Sequence, residues 1–301
     1  MSAPGTSLES AKADRRAVAA ASLKQRKFWE KTFGIVCLSA AIIGVLLLIL
    51  LVFGVARDGI GRVGWDFINS FPSRFANKAG IKAAIFGTLW IIGITTLVAV
   101  PIGIMAGIYL EELAKPNKIN RFIQLNISNL AGVPSIIYGL LGLAIFVRLL
   151  GLDRSVIAGA LTMSLLILPM IIIVTQESLR AVPRSLREGS LALGATQWQT
   201  VAKQVLPAGI AGVLTGVILA ISRAIGETAP LITIGALTFV SFVPSGPFDG
   251  FTALPIQIYN WSSRPQPEFH TAASAGIIVL LVILLSINSV AIFLRNKYSK
   301  R

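Results

Sequence analysis

The sequence predicts an all-α integral membrane protein with six transmembrane helices. The chain of 301 residues is 54% hydrophobic and only 13% charged, and its mean hydropathy is +0.78. Several unbroken apolar runs reach the length of about 20 residues that a membrane-spanning helix needs. A soluble globular protein does not repeat such runs, so these observations exclude that class.

The basic residues lie where membrane topology expects them, which argues against nucleic-acid binding. The net charge is +14, but Lys and Arg cluster at the ends of the apolar runs. Most of the 27 Lys and Arg residues belong to the two tails and to two loops that six spans leave on one side. The positive-inside rule therefore predicts a multi-pass inner-membrane protein whose termini and 183–207 loop face the cytoplasm.

The predicted elements follow in chain order. Residues 1–31 are a basic cytoplasmic tail, because the next apolar run is too long for a cleaved signal peptide. Residues 32–82 hold the first span and an external loop, residues 83–294 hold the other five helices, and residues 295–301 are a second tail. The six spans are predicted at 33–55, 83–110, 127–150, 156–176, 208–226 and 271–294.

Two segments between the fifth and sixth spans are not counted as spans. Residues 231–243 are apolar but short, and Pro230 and Pro244 bracket them, so they fit a re-entrant or an interfacial segment. The polar loop 242–269 holds five prolines and is the best candidate for an ordered external cap. A plain surface loop is the alternative.

The stretch 183–207 combines charge with helical periodicity. Its apolar residues recur at steps of three and four, which predicts one shared helical face. These residues are Leu191, Ala195, Trp198, Val201 and Val205. Pro183 is predicted to open the helix, Gly194 to bend it and Pro207 to end it. Such a helix suits docking of a soluble partner, and an ordinary loop at the headgroup level is the alternative.

The sequence offers no machinery for catalysis or for metal binding. No glycine-rich run ends in Gly-Lys-Ser or Gly-Lys-Thr, so there is no P-loop. His270 is the only histidine and Cys37 the only cysteine, which excludes a multi-histidine metal site and an intrachain disulfide. The chain is therefore predicted not to be an enzyme and to carry no cofactor of its own. An energy-driven process would need an ATPase on another subunit.

Arg223 and Glu227 are the strongest signal within the membrane. They lie four residues apart, so on a helix they share a face and can pair. An arginine at membrane depth costs at least about 2.5–3.5 kcal/mol, which favours a role at an aqueous pathway, and its planar fork suits an oxyanion such as phosphate. Thr228 adds a hydroxyl group. A structural ion pair between helices is the alternative.

Weaker candidates lie in the segment 131–142. Ser135 and Tyr138 are its polar side chains and are predicted to line the pathway, although the glycines around them are equally typical of close helix packing. Glu111 and Glu112 lie at a predicted helix end, where we expect a solvated pair of carboxylates.

The stretch 183–207 resembles the EAA loop of type I ABC importer permeases. That pattern has a glutamate, two alanines, a glycine six positions after the glutamate and a closing Leu-Pro. The matching residues here are Glu188, Gly189, Ser190, Gly194, Ala195, Leu206 and Pro207. The departure is at Gly189 and Ser190, which replace the two alanines with other small residues. The resemblance implies a coupling helix that contacts an ATPase, with Trp198 on the same surface.

Other segments are similar to the phosphate-importer permeases of this superfamily. They are residues 79–90, 131–143, 223–231 and 258–275. The resemblance implies a MetI-like fold, a sister phosphate permease, an ATPase homodimer that uses ATP and Mg²⁺, and an extracytoplasmic phosphate-binding protein. It also implies that inorganic phosphate passes Arg223 and Glu227. Permeases for sulfate, molybdate or tungstate, and a carrier or channel that works without an ATPase, remain the alternatives.

Overall fold

The fold was obtained as a computed structural model that describes residues 6–236 and 239–299. Within these ranges the secondary structure is helical apart from one isolated bridge between Ser155 and Gly250. Helices α3, α5 and α8 each continue as a π-helical turn, at Tyr109–Leu113, Leu143–Leu149 and Val201–Val205. The helices are α1 (Thr6–Gly59), α2 (Trp65–Asn69), α3 (Lys82–Ile108), α4 (Lys118–Ala131), α5 (Ser135–Gly142), α6 (Val156–Arg180), α7 (Arg184–Ala192), α8 (Gln197–Thr200), α9 (Leu206–Gly226), α10 (Ala229–Ile234), α11 (Leu254–Ser262) and α12 (Pro267–Ser299).

Five of the described helices are long and apolar enough to cross a membrane, and a bent pair brings the number to six. The chain divides into two compact units, Met1–Val55 and Ala56–Arg301. In the first unit, α1 contains the predicted span 33–55 but begins already at Thr6, so part of the predicted tail is helical. Its large apolar side chains from Phe33 onward are exposed, as expected for side chains that face lipid.

Helix α6 is the central helix of the second unit, with 15 of its 25 residues buried. Glycines on its neighbours allow this close packing, because a Cβ at Gly103 of α3 would lie 2.6 Å from Ile171 Cγ2. On α9, a Cβ at Gly212 would lie 2.8 Å from Ser178 Oγ. Small residues at such crossings let membrane helices approach closely. The predicted fourth span, 156–176, is thus confirmed as a helix that continues to Arg180.

The third predicted span is wrong as a single helix from 127 to 150. Helix α4 ends at Ala131, α5 begins at Ser135, and the two meet at an angle of 104°. Pro134 explains the break, because a proline has no N–H to continue the ladder and disfavours helical backbone at the residue before it. Helix α4 begins at Lys118, so four residues separate it from the π-helical turn that continues α3 to Leu113.

The fifth span begins earlier than the sequence indicates. Pro207 does not end the preceding helix, because an unbroken helical segment of 30 residues runs from Gln197 to Gly226. The π-helical turn Val201–Val205 precedes Pro207. In this wider turn the backbone bonds are displaced by one residue, so the proline's missing N–H does not interrupt the helix.

The described residues from 239 to the start of α12 pack against α3, as expected for a cap. Phe251, Thr252 and Trp261 are buried, and Leu254 N donates to Thr88 Oγ1 of α3 at 2.9 Å. Trp90 Nε1 of α3 donates to Pro244 O at 3.1 Å. The alternative of a plain surface loop is therefore wrong. The short apolar region after Pro230 forms α10, and Leu237 and Thr238 lie outside the described residues.

The same segment also caps the first turn of α6. Val156 N donates to Asp249 O at 2.9 Å and Ile157 N donates to Pro247 O at 2.8 Å, which satisfies two N–H groups that a helix start leaves open. The Asp249 carboxylate accepts the Ser245 hydroxyl and two backbone N–H groups. These hydrogen bonds, that of the Ser245 side chain first, hold the pKa of Asp249 below its usual value.

Candidate functional site

The pair predicted at 223 and 227 forms, but not as two residues of one helix. Helix α9 ends at Gly226, and Glu227 has extended backbone angles, with φ −74° and ψ 127°. The Glu227 side chain nevertheless turns back, so that Arg223 Nε donates to its Oε1 at 3.3 Å. The pair therefore closes the end of α9, where the helix dipole favours a cation.

The guanidinium of Arg223 has hydrogen-bond donors that Glu227 does not use. Glu227 contacts Nε alone, and in the part of the chain that the structure describes the two Nη nitrogens make no hydrogen bond. The Arg223 side chain is 51% exposed and that of Glu227 is 18% exposed. Thr228 follows as the N-cap of α10. An arginine presented this way can bind an oxyanion through two parallel hydrogen bonds.

Helix α5 packs against α10, the helix that directly follows this pair. A Cβ at Gly139 would lie 2.6 Å from Pro230 Cα and would also collide with Thr233 Oγ1, so only glycine permits this contact. Both helices are short, and each follows a point where the preceding helix ends. The structure thus brings the two segments that carry polar pathway candidates, 135–138 and 223–228, onto neighbouring elements.

The two candidates on α5 differ in their surroundings. Tyr138 is 6% exposed, and its hydroxyl donates to Leu130 O of α4 at 2.8 Å. This bond joins the two halves of the bent pair across its 104° break. Ser135 is the first residue of α5 and is half-buried. The Tyr138 hydroxyl therefore already has a backbone partner, whereas Ser135 lies at the bend itself.

The predicted docking stretch consists of two helices and not of one amphipathic helix. Gly194 adopts a left-handed conformation, with φ +84°, and separates α7 from α8. Thr196 and Gln199 then form a capping box that starts α8. The predicted single apolar face is therefore wrong: Trp198 is 62% exposed, whereas Val201 and Val205 are buried.

The two helices enclose a surface groove of about 440 Å³. Its lining includes Gly189, Ser190 and Ala195 of the EAA-like pattern, together with Leu186. The hydroxyls of Ser190 and Thr200 lie 2.9 Å apart and join α7 to α8. Leu193, at 90% exposure, is an uncovered apolar side chain at the rim. Glu188 is exposed on α7, and Leu206 and Pro207 lie within the long helix beyond the groove.

Two ion pairs at the end of α3 were missed by the sequence analysis. Glu111 accepts from Arg180 Nε at 3.0 Å and from Nη2 at 2.7 Å. Glu112 accepts from Arg187 Nε at 3.0 Å and also from Nη2. The expectation of a solvated carboxylate pair is wrong, since the Glu112 side chain is only 8% exposed. The sequence did contain a signal for these pairs. Two glutamates follow the predicted span 83–110, and Arg180 and Arg187 follow the predicted span 156–176 on the same side of the membrane.

The pair between Glu112 and Arg187 also has an electrostatic signature. The hydrogen bond from Arg187 to Glu112 raises the pKa of the guanidinium further above its ordinary value, and burial opposes this effect. Arg187 remains charged at any physiological pH, so the ion pair is not lost through deprotonation of the arginine.

A family model for binding-protein-dependent transport system inner membrane components matches residues 99–300. A probable ABC transporter permease protein of Bacillus subtilis, YqgI, is 33% identical over 92% of this chain and 98% of its own length. The phosphate transport system permease protein PstA of Haemophilus influenzae is 33% identical, over 87% of this chain and 94% of its own. PstA 1 of Mycobacterium tuberculosis is 31% identical, over 90% of this chain and 88% of its own length.

Solved structures share the fold at low sequence identity. A bacterial alginate ABC transporter, in complex with a periplasmic protein that carries an alginate pentasaccharide, matches with a TM-score of 0.62 and 17% identity. The match covers 87% of this chain and 95% of that chain. The methionine ABC transporter MetNI matches with a TM-score of 0.57 and 16% identity, over 72% and 96%.

Proposed function

We infer the function from the premise that this chain belongs to the family of binding-protein-dependent transport system inner membrane components. We propose that it is the permease subunit of an ATP-driven importer and forms, with a sister permease, the membrane pathway for inorganic phosphate. The observation that carries the proposal is that relatives named phosphate transport permeases match nearly the whole chain at 31–34% identity.

The end of α9 supports phosphate as the cargo. Neither Nη group of Arg223 makes a hydrogen bond within the described chain, and about half of its side chain is exposed. Hydrogen bonds between ionised groups contribute about 1.5–3 kcal/mol each. A passing phosphate would meet a guanidinium that is held in place by Glu227 without being fully neutralised. Thr228, Ser135 and Tyr138 are the further residues that we assign to the pathway.

The chain would bind phosphate and let it pass without changing it chemically. No bond of the anion is made or broken, so the chain is a conduit and not an enzyme. A separate ATPase homodimer would bind ATP and Mg²⁺, and its closure would move the segment 183–207. The contact surface would consist of Glu188, Gly189, Ser190, Gly194, Ala195 and Trp198, with Leu206 and Pro207 at its end.

The remaining assignments concern orientation and delivery. The concentration of Lys and Arg in the tails and in 183–207 supports cytoplasmic termini. The family description names a binding protein, and we propose that a phosphate-binding protein delivers the anion on the extracytoplasmic side. The alginate transporter supports this arrangement, because its own complex contains a periplasmic protein.

Substitution of Arg223 tests the proposal. In vesicles that contain the reconstituted complex, Arg223→Ala should lower ATP-driven phosphate uptake at least about tenfold, the loss expected when one charged hydrogen-bonding partner is removed. Assembly of the complex should stay intact. Arg74→Ala is the matched control, because Arg74 is exposed and its recorded contact is with the ring of Phe75, 4.9 Å away. Normal uptake by Arg223→Ala would contradict the role of this residue.

Two further measurements address the cargo and the energy source. Uptake of labelled phosphate should resist an excess of sulfate, molybdate or tungstate, whereas strong competition by one of these anions would identify it as the cargo. Omission of the ATPase subunit should abolish uptake. Uptake that persisted without it would instead indicate an independent carrier or channel.

A further inference from the structure

One partly buried ion pair joins the end of α3 to the docking stretch. Glu112 belongs to the π-helical turn that continues α3, and Arg187 belongs to α7. Arg187 Nε and Nη2 each donate to a different carboxylate oxygen of Glu112, which is the bidentate geometry. The side chains are 21% and 8% exposed. Removing one partner of such a pair leaves a charge that water reaches poorly, so the pair resists separation more than an exposed pair does.

The same two residues make hydrogen bonds with three other positions. Arg187 Nη1 donates to Val182 O and Nη2 to Leu179 O, both at 2.7 Å, so the guanidinium caps carbonyls at the end of α6. From the start of α8, Gln197 Nε2 donates to Glu112 O. Glu112 is therefore held by α7 through Arg187 and by α8 through Gln197. These two contacts lie on either side of the left-handed turn at Gly194.

We propose that Arg187 and Glu112 are positioning residues that transmit movement of the docking stretch to α3. This inference rests on the proposed function, because it needs a partner that moves 183–207. Arg187 does not line the groove between α7 and α8, but it lines a second cavity of about 350 Å³ together with Glu188. Docking of the ATPase therefore has to be measured beside transmission. When an ATPase displaces α7 and α8 together, the Glu112 contacts oblige the end of α3 to follow.

The neighbouring pair of Glu111 and Arg180 provides an internal comparison. It is also bidentate, and it joins α3 to α6. It makes no hydrogen bond to α7 or α8 within the described chain, and Glu111 acts on the charge of Arg187 only through space. The Arg180 side chain is 65% exposed and that of Glu111 is 16% exposed, so water weakens this pair more than the Glu112 pair. Loss of the Glu111 pair should thus leave transmission unchanged, although the chemistry removed is the same.

The experiment measures coupling in the assembled complex, with the sister permease and the ATPase present. The test variant is Glu112→Gln, which preserves the shape of the side chain, and Glu111→Gln is its matched control. The readouts are phosphate uptake per ATP hydrolysed and the amount of ATPase that co-purifies. A purely structural defect lowers assembly, and with it uptake and hydrolysis together, so it does not change their ratio.

We expect Glu112→Gln to lower the ratio of uptake to hydrolysis at least fivefold while the co-purified ATPase stays constant. Glu111→Gln should stay within twofold of the unmodified complex. Arg187→Ala should produce the same loss of coupling, and the double variant Arg187→Ala, Glu112→Gln should be no worse than either single change, since both remove one connection. If Arg187→Ala fails to assemble, Glu112→Gln alone still decides the result.

Three results would overturn the inference: an unchanged ratio in Glu112→Gln, an equal loss in Glu111→Gln, or release of the ATPase by Glu112→Gln, which would mean docking and not transmission. Failure of the proposed function gives a different result. If the unmodified complex imports another anion and not phosphate, the assignment of phosphate falls, and the same ratio measured with that anion still tests the two residues.

Discussion

The Tyr138 hydroxyl shows how one polar atom can serve the fold at a position expected to serve transport. Its bond to Leu130 O, at 2.8 Å, crosses the bend between α4 and α5. Leu130 O lies near the end of α4 and also accepts from Val133 N at 3.1 Å, so the tyrosine adds a second hydrogen bond to this carbonyl. The bond therefore gives Tyr138 a role in the fold in addition to the pathway role that we propose for it.

We expect Tyr138→Phe to lower the stability of the assembled protein by about 0.5–1.5 kcal/mol, the net contribution of one hydrogen bond, because Leu130 O keeps its bond from Val133 N. The measurement is the midpoint of thermal unfolding in detergent. Tyr259→Phe is the control, since Tyr259 is 58% exposed and should tolerate the change. Unchanged stability together with reduced uptake would instead assign Tyr138 to the pathway.

At the scale of single residues, the sequence predicted ion pairs whose members are close along the chain. Arg223 and Glu227 are four residues apart, so their spacing alone suggests an ion pair, which the structure contains. Glu112 and Arg187 are 75 residues apart. Nothing in their local surroundings identifies them as partners, because their contact depends on the packing of α3 against α6.

At the scale of elements, the contact between α3 and the segment 251–254 depends on the absence of one side chain. A Cβ at Gly87 would collide with the backbone carbonyl of Thr252, which is fully buried. A backbone atom cannot move aside as the end of a flexible side chain can. The N–H of Leu254 is bonded to Thr88 in the same region, so a shift would also break that bond.

Gly87→Ala should therefore destabilise the protein by about 1–3 kcal/mol or more, as expected for overpacking. Gly93→Ala, on the same helix, has no atom within 4 Å of the new Cβ and should be neutral or stabilising by up to about 1 kcal/mol. Thermal unfolding of the two variants side by side makes the comparison. Equal stability of the two would contradict close packing at Gly87.

Prolines explain why the element boundaries were predicted only in part. Pro101 and Pro169 lie inside α3 and α6, which continue past them. Pro134 stands at a break of 104°, and Pro207 lies in a continuous helix. All four occur in apolar runs, so periodicity does not distinguish them. What decides the outcome is whether neighbouring helices or a π-helical turn compensate for the missing hydrogen bond.

At the scale of the whole molecule, the turn at Gly194 determines whether α7 and α8 present one surface. A side chain with a branched Cβ is strained at φ +84° by about 1–3 kcal/mol. We expect Gly194→Val to rearrange this turn and to release the ATPase, measured by co-purification from membranes. Glu188→Lys should have the same effect, because it reverses an exposed charge on α7.

Gly189→Ala is the conservative comparison on the same docking surface, because the EAA pattern has an alanine at this position. A Cβ at Gly189 has open space around it, and alanine is favoured over glycine in a helix by about 1 kcal/mol. Co-purification of the ATPase should therefore be unchanged or improved. If Gly194→Val and Glu188→Lys both retained the ATPase, α7 and α8 would not be the docking surface.

The 30-residue helix from Gln197 to Gly226 has a mechanical consequence. At a rise of about 1.5 Å per residue it is roughly 45 Å long. Gln197 contacts Glu112 at one end, and Arg223 lies in the last turn at the other. A tilt of the whole segment therefore moves both of these contacts. A tilt of about 10° around its middle would displace each end by roughly 4 Å, enough to bring the Arg223 fork within or beyond hydrogen-bonding distance of an anion.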